Sequence, residues 1–157
     1  MKPMDLAIEN ARISSNLGLG GPFGAAIVNS STGELICVTT NQVLATNDPT
    51  AHAEITCIRR ACKKLGTHDL TGYTIYATGY PCPMCMSAIM WANLDAVIFA
   101  GDLFDARDIG FKDAYIYRFI EEGCIDDEIL PIIWAVSDRE KVQELYKNYK
   151  ENGKEMY

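Results

Sequence analysis

Positive charge, histidine and long apolar runs are all scarce in this chain. Its 157 residues carry 14 Lys and Arg against 21 Asp and Glu, a net charge of −7. An acidic surface repels phosphate backbones, which argues against nucleic acid as a partner. Four cations cluster at Arg59, Arg60, Lys63 and Lys64, and read as the solvated face of one helix rather than a docking patch. No apolar stretch approaches the ~18 residues of a membrane-spanning helix, which argues against a membrane. Met1-Lys2-Pro3-Met4-Asp5 lacks the basic-then-apolar pattern of a secretory leader. The expectation is a cytoplasmic protein whose cysteines stay reduced. With 48% hydrophobic residues and no repeat, linker or low-complexity tract, residues 1–157 are expected to fold as one domain.

The elements follow from periodicity. Leu6, Ile13 and Leu17 share one face of a first helix over 3–17. The glycine-rich turn Gly18-Leu19-Gly20-Gly21-Pro22-Phe23-Gly24 runs into the apolar strand Ala25-Ala26-Ile27-Val28. A phosphate loop opens a helix, so these glycines instead let backbone pass close to a ligand or another segment. Ser30-Ser31-Thr32-Gly33 closes a hairpin into Glu34 to Thr39. Asp48 and Pro49 read as the cap and first residue of a second helix that Gly66 stops. Strands are expected at Tyr73 to Thr78, Ala96 to Ala100 and Ile132 to Val136, with a helix opening at Pro81 to Pro83. A short helix at Tyr115 to Glu121 and a polar one over 138–152 complete an α/β sandwich with a mixed, five-stranded sheet.

Two histidines and one C-x-x-C leave few ways to build a metal site. His52, Cys82 and Cys85 are three zinc ligands, each near a helix start. A structural zinc fills four positions with protein, so three ligands leave one open for water, the catalytic arrangement. His68 lies in a Gly66-Thr67-His68-Asp69 turn outside any ligand spacing, and no second C-x-x-C exists to close the site. Glu54, two residues beyond His52, can exchange protons with the metal-bound water without binding the metal. The expectation is one zinc per chain.

His52-x-Glu54 with Pro81-Cys82-x-x-Cys85 is the signature of the zinc deaminases, and the chain resembles that cytidine-deaminase-like superfamily along nearly its whole length. Its finer motifs look most like the bacterial guanine deaminases. They are Gly20-Gly21-Pro22-Phe23-Gly24-Ala25, the run from Thr46 to Glu54, Gly110-Phe111-x-Asp113 and Tyr157. The adenosine deaminases of transfer RNA share the run from Asp48 to Glu54 and the cysteine motif. Both groups typically carry Glu directly before the Pro-Cys run, where this chain has Tyr80.

The resemblance implies an α/β/α sandwich and hydrolysis of a free aminopurine, guanine to xanthine and ammonia. Transfer-RNA adenosine, guanosine and other aminated heterocycles are the alternative substrates. It implies that Asn41 bonds the purine ring and Asp113 its N–H groups. Phe23 and Trp91 are candidate aromatic walls, each as readily core, and the backbone near Ala53 is a further donor to the base. Tyr157 is implied to close the pocket of a homodimer that exchanges its C-terminal segments, residues 138–157.

Overall fold

Alternation along β1 (Gly24–Asn29) sends its side chains into two different helical layers. Ala25 and Ile27 join Ala53, Cys57 and Ala61 in one buried cluster. The opposite face meets α1 (Pro3–Asn16), whose Ala7 and Ala11 are buried. Gly24 is required there, because a Cβ would overlap the Ala7 carbonyl oxygen. These facts come from a computed structural model that describes residues 2–157 and divides into two units, Met1–Ala114 and Tyr115–Tyr157.

In the first unit β1 pairs antiparallel with β2 (Leu35–Thr40) and with β3 (Tyr73–Gly79), and β3 pairs parallel with β4 (Ala96–Gly101). The strand order is β2-β1-β3-β4. The fifth strand expected at Ile132 to Val136 is absent from this mixed sheet. Pro131 supplies no ladder donor, Ile133 is 88% exposed, and a 3-10 turn begins at Val136. A short apolar run without a partner strand cannot satisfy its backbone as a ladder does.

Helix α2 (Val43–Thr46) is a single turn, and α3 (Ala53–Leu65) starts later than Asp48-Pro49 suggests. Asp48 accepts from the Thr50 amide at 2.8 Å and the Thr50 hydroxyl at 2.7 Å. That side-chain turn takes Asp48 away from helix capping and leaves His52 as the N-cap of α3. Gly66 ends α3 in the left-handed region and donates to the Cys62 carbonyl at 2.8 Å. At the outer edge of β2, Arg60 and Lys64 of α3 donate to the carbonyls of Val38 (3.0 Å) and Ile36 (2.9 Å). Helix α4 (Pro83–Trp91) is the crossover between parallel β3 and β4, and Cys82 is its N-cap. The first unit ends with α5 (Leu103–Asp108), held by a reciprocal Asp102–Asp105 capping box.

The second unit holds most of α6 (Ala114–Glu121) and all of α7 (Arg139–Glu151). Much of its apolar surface is exposed, including Ile132, Ile133, Trp134, Leu145 and Tyr146. The Tyr149 hydroxyl donates to the Glu155 carbonyl at 2.5 Å, tying the end of the chain to α7. Among the described residues no helix is long and apolar enough to cross a membrane.

Candidate active site

Three side chains from two helix starts converge on one point. His52 caps α3, Cys82 caps α4, and Cys85 lies in the first turn of α4. The Sγ atoms of Cys82 and Cys85 each sit 3.6 Å from His52 Nδ1. A tetrahedral zinc with Zn–S of about 2.3 Å and Zn–N of about 2.0 Å has an N···S edge of ~3.5 Å, so the three donors fit that ion. Among the described residues this is the one group of three or more His, Cys, Asp or Glu spaced for a metal.

Local sequence explains the convergence. Pro83 pre-sets the first helical φ of α4, so Cys82 and Cys85 project from the same end. Thr39 on β2 donates its hydroxyl to the Ala53 carbonyl at 2.8 Å, pinning the start of α3 to the sheet. Helix N-termini carry free amides and the positive end of the macrodipole, which suits thiolates.

The electrostatics are consistent with that. The Cys82 thiol is held down at about 4, first by its hydrogen bond with Cys85, then by His52, with burial opposing. The same bond, with burial and nearby Glu54, pushes the Cys85 thiol up. His52 is raised, chiefly by its hydrogen bond with Cys82. Glu54 is buried at 8% exposure, and desolvation raises its carboxyl above the usual range. A buried carboxyl that readily takes a proton, beside three metal donors, is equipped for proton transfer.

A cavity of about 430 Å³ reaches His52, within the range of small-molecule sites. Gly20, Gly21, Asn41 and Phe111 line it, together with Val43 and Leu44 of α2 and Pro49. Asn41 is buried, and its Oδ1 accepts from the Val43 amide at 3.1 Å. Gly20 passes so close that a Cβ would overlap Asn41 Oδ1 and come 2.5 Å from the Asn41 carbonyl oxygen. The glycine-rich turn thus serves close packing on Asn41.

The structure does not gather every anticipated residue here. Phe23 packs edge-on against Phe111, ring centroids 4.9 Å apart, and touches the core cluster. Phe111 itself lines the cavity, a position that the Gly110-Phe111-x-Asp113 motif does not signal by residue type. Val43 and Leu44 line it without any signal in the sequence, because α2 is too short to show periodicity. Ala53 is fully buried at the start of α3. Asp113 is engaged by Arg107, whose Nε donates to Oδ1 at 3.0 Å. Trp91 is 71% exposed at the last position of α4, the opposite end from Cys82. Tyr157 belongs to the second unit and is exposed. Tyr80 stacks edge-on against Phe99 of β4 at 5.1 Å and donates its amide to the Gly101 carbonyl.

Residues 1–101 match the cytidine and deoxycytidylate deaminase zinc-binding region. The guanine deaminase of Bacillus subtilis strain 168 is 49% identical over 107 residues, 68% of this chain and 67% of its own. An X-ray structure of guanine deaminase from Bacillus subtilis superposes with a TM-score of 0.85 at 38% identity, covering 93% of this chain and 92% of that one. The tRNA-specific adenosine deaminase of Aquifex aeolicus is 32% identical over 128 residues, 82% of this chain and 79% of its own.

Proposed function

The chain belongs to the cytidine and deoxycytidylate deaminase zinc-binding family, and from that premise we propose that it hydrolyses free guanine to xanthine and ammonia, using one zinc held by His52, Cys82 and Cys85. The observation that carries this reading is the tripod of donors beside buried Glu54, with His52 at the wall of a cavity sized for a small heterocycle. A bound zinc supplies a nucleophilic oxygen at neutral pH by lowering the pKa of water to about 7.

The side chains do the rest. Glu54 takes a proton from the attacking water, gives one to a ring nitrogen and later protonates the departing amine. Asn41 offers N–H to an acceptor on the ring. Phe111 and Phe23 form an aromatic wall, and Asp113 accepts from the base's N–H groups. The backbone near Ala53 belongs to the same reading as a further contact, whereas Trp91, exposed at the far end of α4 from Cys82, is placed away from the base. Among the described residues no Lys or Arg lines the cavity to meet a phosphate, which favours a free base over a nucleotide within RNA.

The same reading includes a homodimer in which Tyr157 of one chain closes the pocket of the other. β4 is the last strand of the sheet and leaves Ile98 and Phe99 exposed, although a parallel strand is ordinarily covered on both faces. Apolar residues of α7 are exposed as well. The compartment that fits six free thiols is a reducing one, the cytoplasm.

Ammonia release from guanine, guanosine, adenine, cytosine and a transfer-RNA anticodon stem tests the substrate. Guanine is expected to react fastest; adenosine in RNA turning over while guanine stays inert would overturn the reading. Metal analysis after reconstitution should give about one zinc per chain, the capacity of a single tripod.

A further inference from the structure

Cys37 on β2 and Cys57 on α3 take no part in the chemistry above. Both are buried, and their Sγ atoms lie 3.2 Å apart. A disulfide is about 2.05 Å long, so the two sulfurs need to approach by little more than ~1 Å to bond. Paired thiols inside a core can act merely as small hydrophobes. Here, however, the two have been made chemically unequal.

Arg60 and Lys64 donate to the carbonyls of Val38 and Ile36, the residues on either side of Cys37, which fixes two cations around it. The Cys37 thiol is lowered, first by its hydrogen bond with Cys57 and further by those cations, against the opposing effect of burial. Cys57 is raised, first by the same bond and then by burial. Two sulfurs in contact, with cations anchored beside one of them, have the geometry of an attacking and a resolving cysteine.

We propose that Cys37 and Cys57 are an oxidisable dithiol that a hydroperoxide converts into a disulfide joining β2 to α3. In the first step Cys37 sulfur attacks the peroxide, an S–O bond forms, the O–O bond breaks, and an alcohol (or water) leaves after taking up a proton. In the second, Cys57 sulfur attacks Cys37 sulfur, the S–S bond forms, the S–O bond breaks, and water leaves with the Cys57 proton. Two thiols are oxidised and one peroxide bond is reduced. The product adds a covalent tie to the Thr39–Ala53 hydrogen bond that already holds α3 to β2, one turn beyond Glu54.

The test uses intact zinc-loaded protein, treated with increasing hydrogen peroxide, then unfolded, alkylated and mapped by peptide mass. The expected result is a linked peptide pair containing Cys37 and Cys57, reversed by added thiol and accompanied by a higher melting temperature, as a bridge that restricts the unfolded chain produces. Cys57→Ser should stop the reaction at a Cys37 sulfenic acid, trapped by a dimedone reagent. Recovery of Cys37 and Cys57 as alkylated thiols at peroxide levels that oxidise Cys62, Cys124 or the zinc cysteines overturns the proposal. So does a cross-link from either residue to a different cysteine. The mapping is done on the unmutated chain and stands whether or not the serine variant folds.

Discussion

Ala25-Ala26-Ile27-Val28 and Ile132-Ile133-Trp134 are both short apolar runs, yet the first is a central strand and the second is exposed loop. The first is followed at once by a turn and an antiparallel partner, and helices cover both its faces. The second follows Pro131 and has no strand beside it. Apolar character alone therefore does not specify a strand; a partner within reach does. The contrast extends to the proposed site, because His52, Cys82 and Cys85 stand at the starts of helices that join the core cluster, whereas Tyr157 is exposed in the second unit.

Glu54→Gln should show that chemistry belongs to the first region. The variant should keep zinc and fold, while kcat falls ~10²–10⁴-fold or more, since proton transfer is lost in both directions. Activity within about tenfold of the parent, well short of that range, would assign proton transfer to another group.

Core substitutions sharpen the contrast in stability. Ile27→Ala should cost roughly 2–5 kcal/mol in denaturant unfolding, because a fully buried side chain leaves a cavity. Ile133→Ser should stay within about 0.5 kcal/mol, as surface changes do. If the two costs are similar, the second unit is covered in solution by another chain, and the loss should then vary with protein concentration.

Removing residues 154–157 should leave zinc content and melting temperature nearly unchanged while lowering turnover ~10²-fold, since closure positions the base and excludes water. Full activity, or activity from a monomer by light scattering, would return Tyr157 to the status of an ordinary terminus. The smallest effect is expected from Tyr80→Glu, because Tyr80 packs on Phe99 rather than lining the cavity. The ranking of aminoheterocycles should be unchanged by kcat/KM; a reordered ranking would place Tyr80 in substrate choice.

The gathering of His52, Cys82 and Cys85 at one point, with Glu54 buried nearby, was legible in the sequence because it is written in residue type and short spacing. Helix existence was legible from periodicity, and the β1–β2 hairpin from its turn residues. The start of α3 was misread because Asp48 has two ways to spend its side chain, and Thr50, a local partner, takes it. Phe111, Val43 and Leu44 reach the cavity through loops and a single helical turn, where no period exists to betray a facing direction. The missing strand shows the same limit at longer range. Pairing is a relation between segments, and a single segment does not record it.

Arg60 and Lys64, seated on the outward carbonyls of β2, have a consequence for how copies of this chain can assemble. Their bonds occupy acceptors that an incoming strand would need, so that edge of the sheet is blunted against extension. β4 is the other edge. A sheet able to grow from one side only can meet a second copy of itself back to back, and the pair then presents two blunted ends. Any assembly through the sheet edge would then use β4 and stop at two copies.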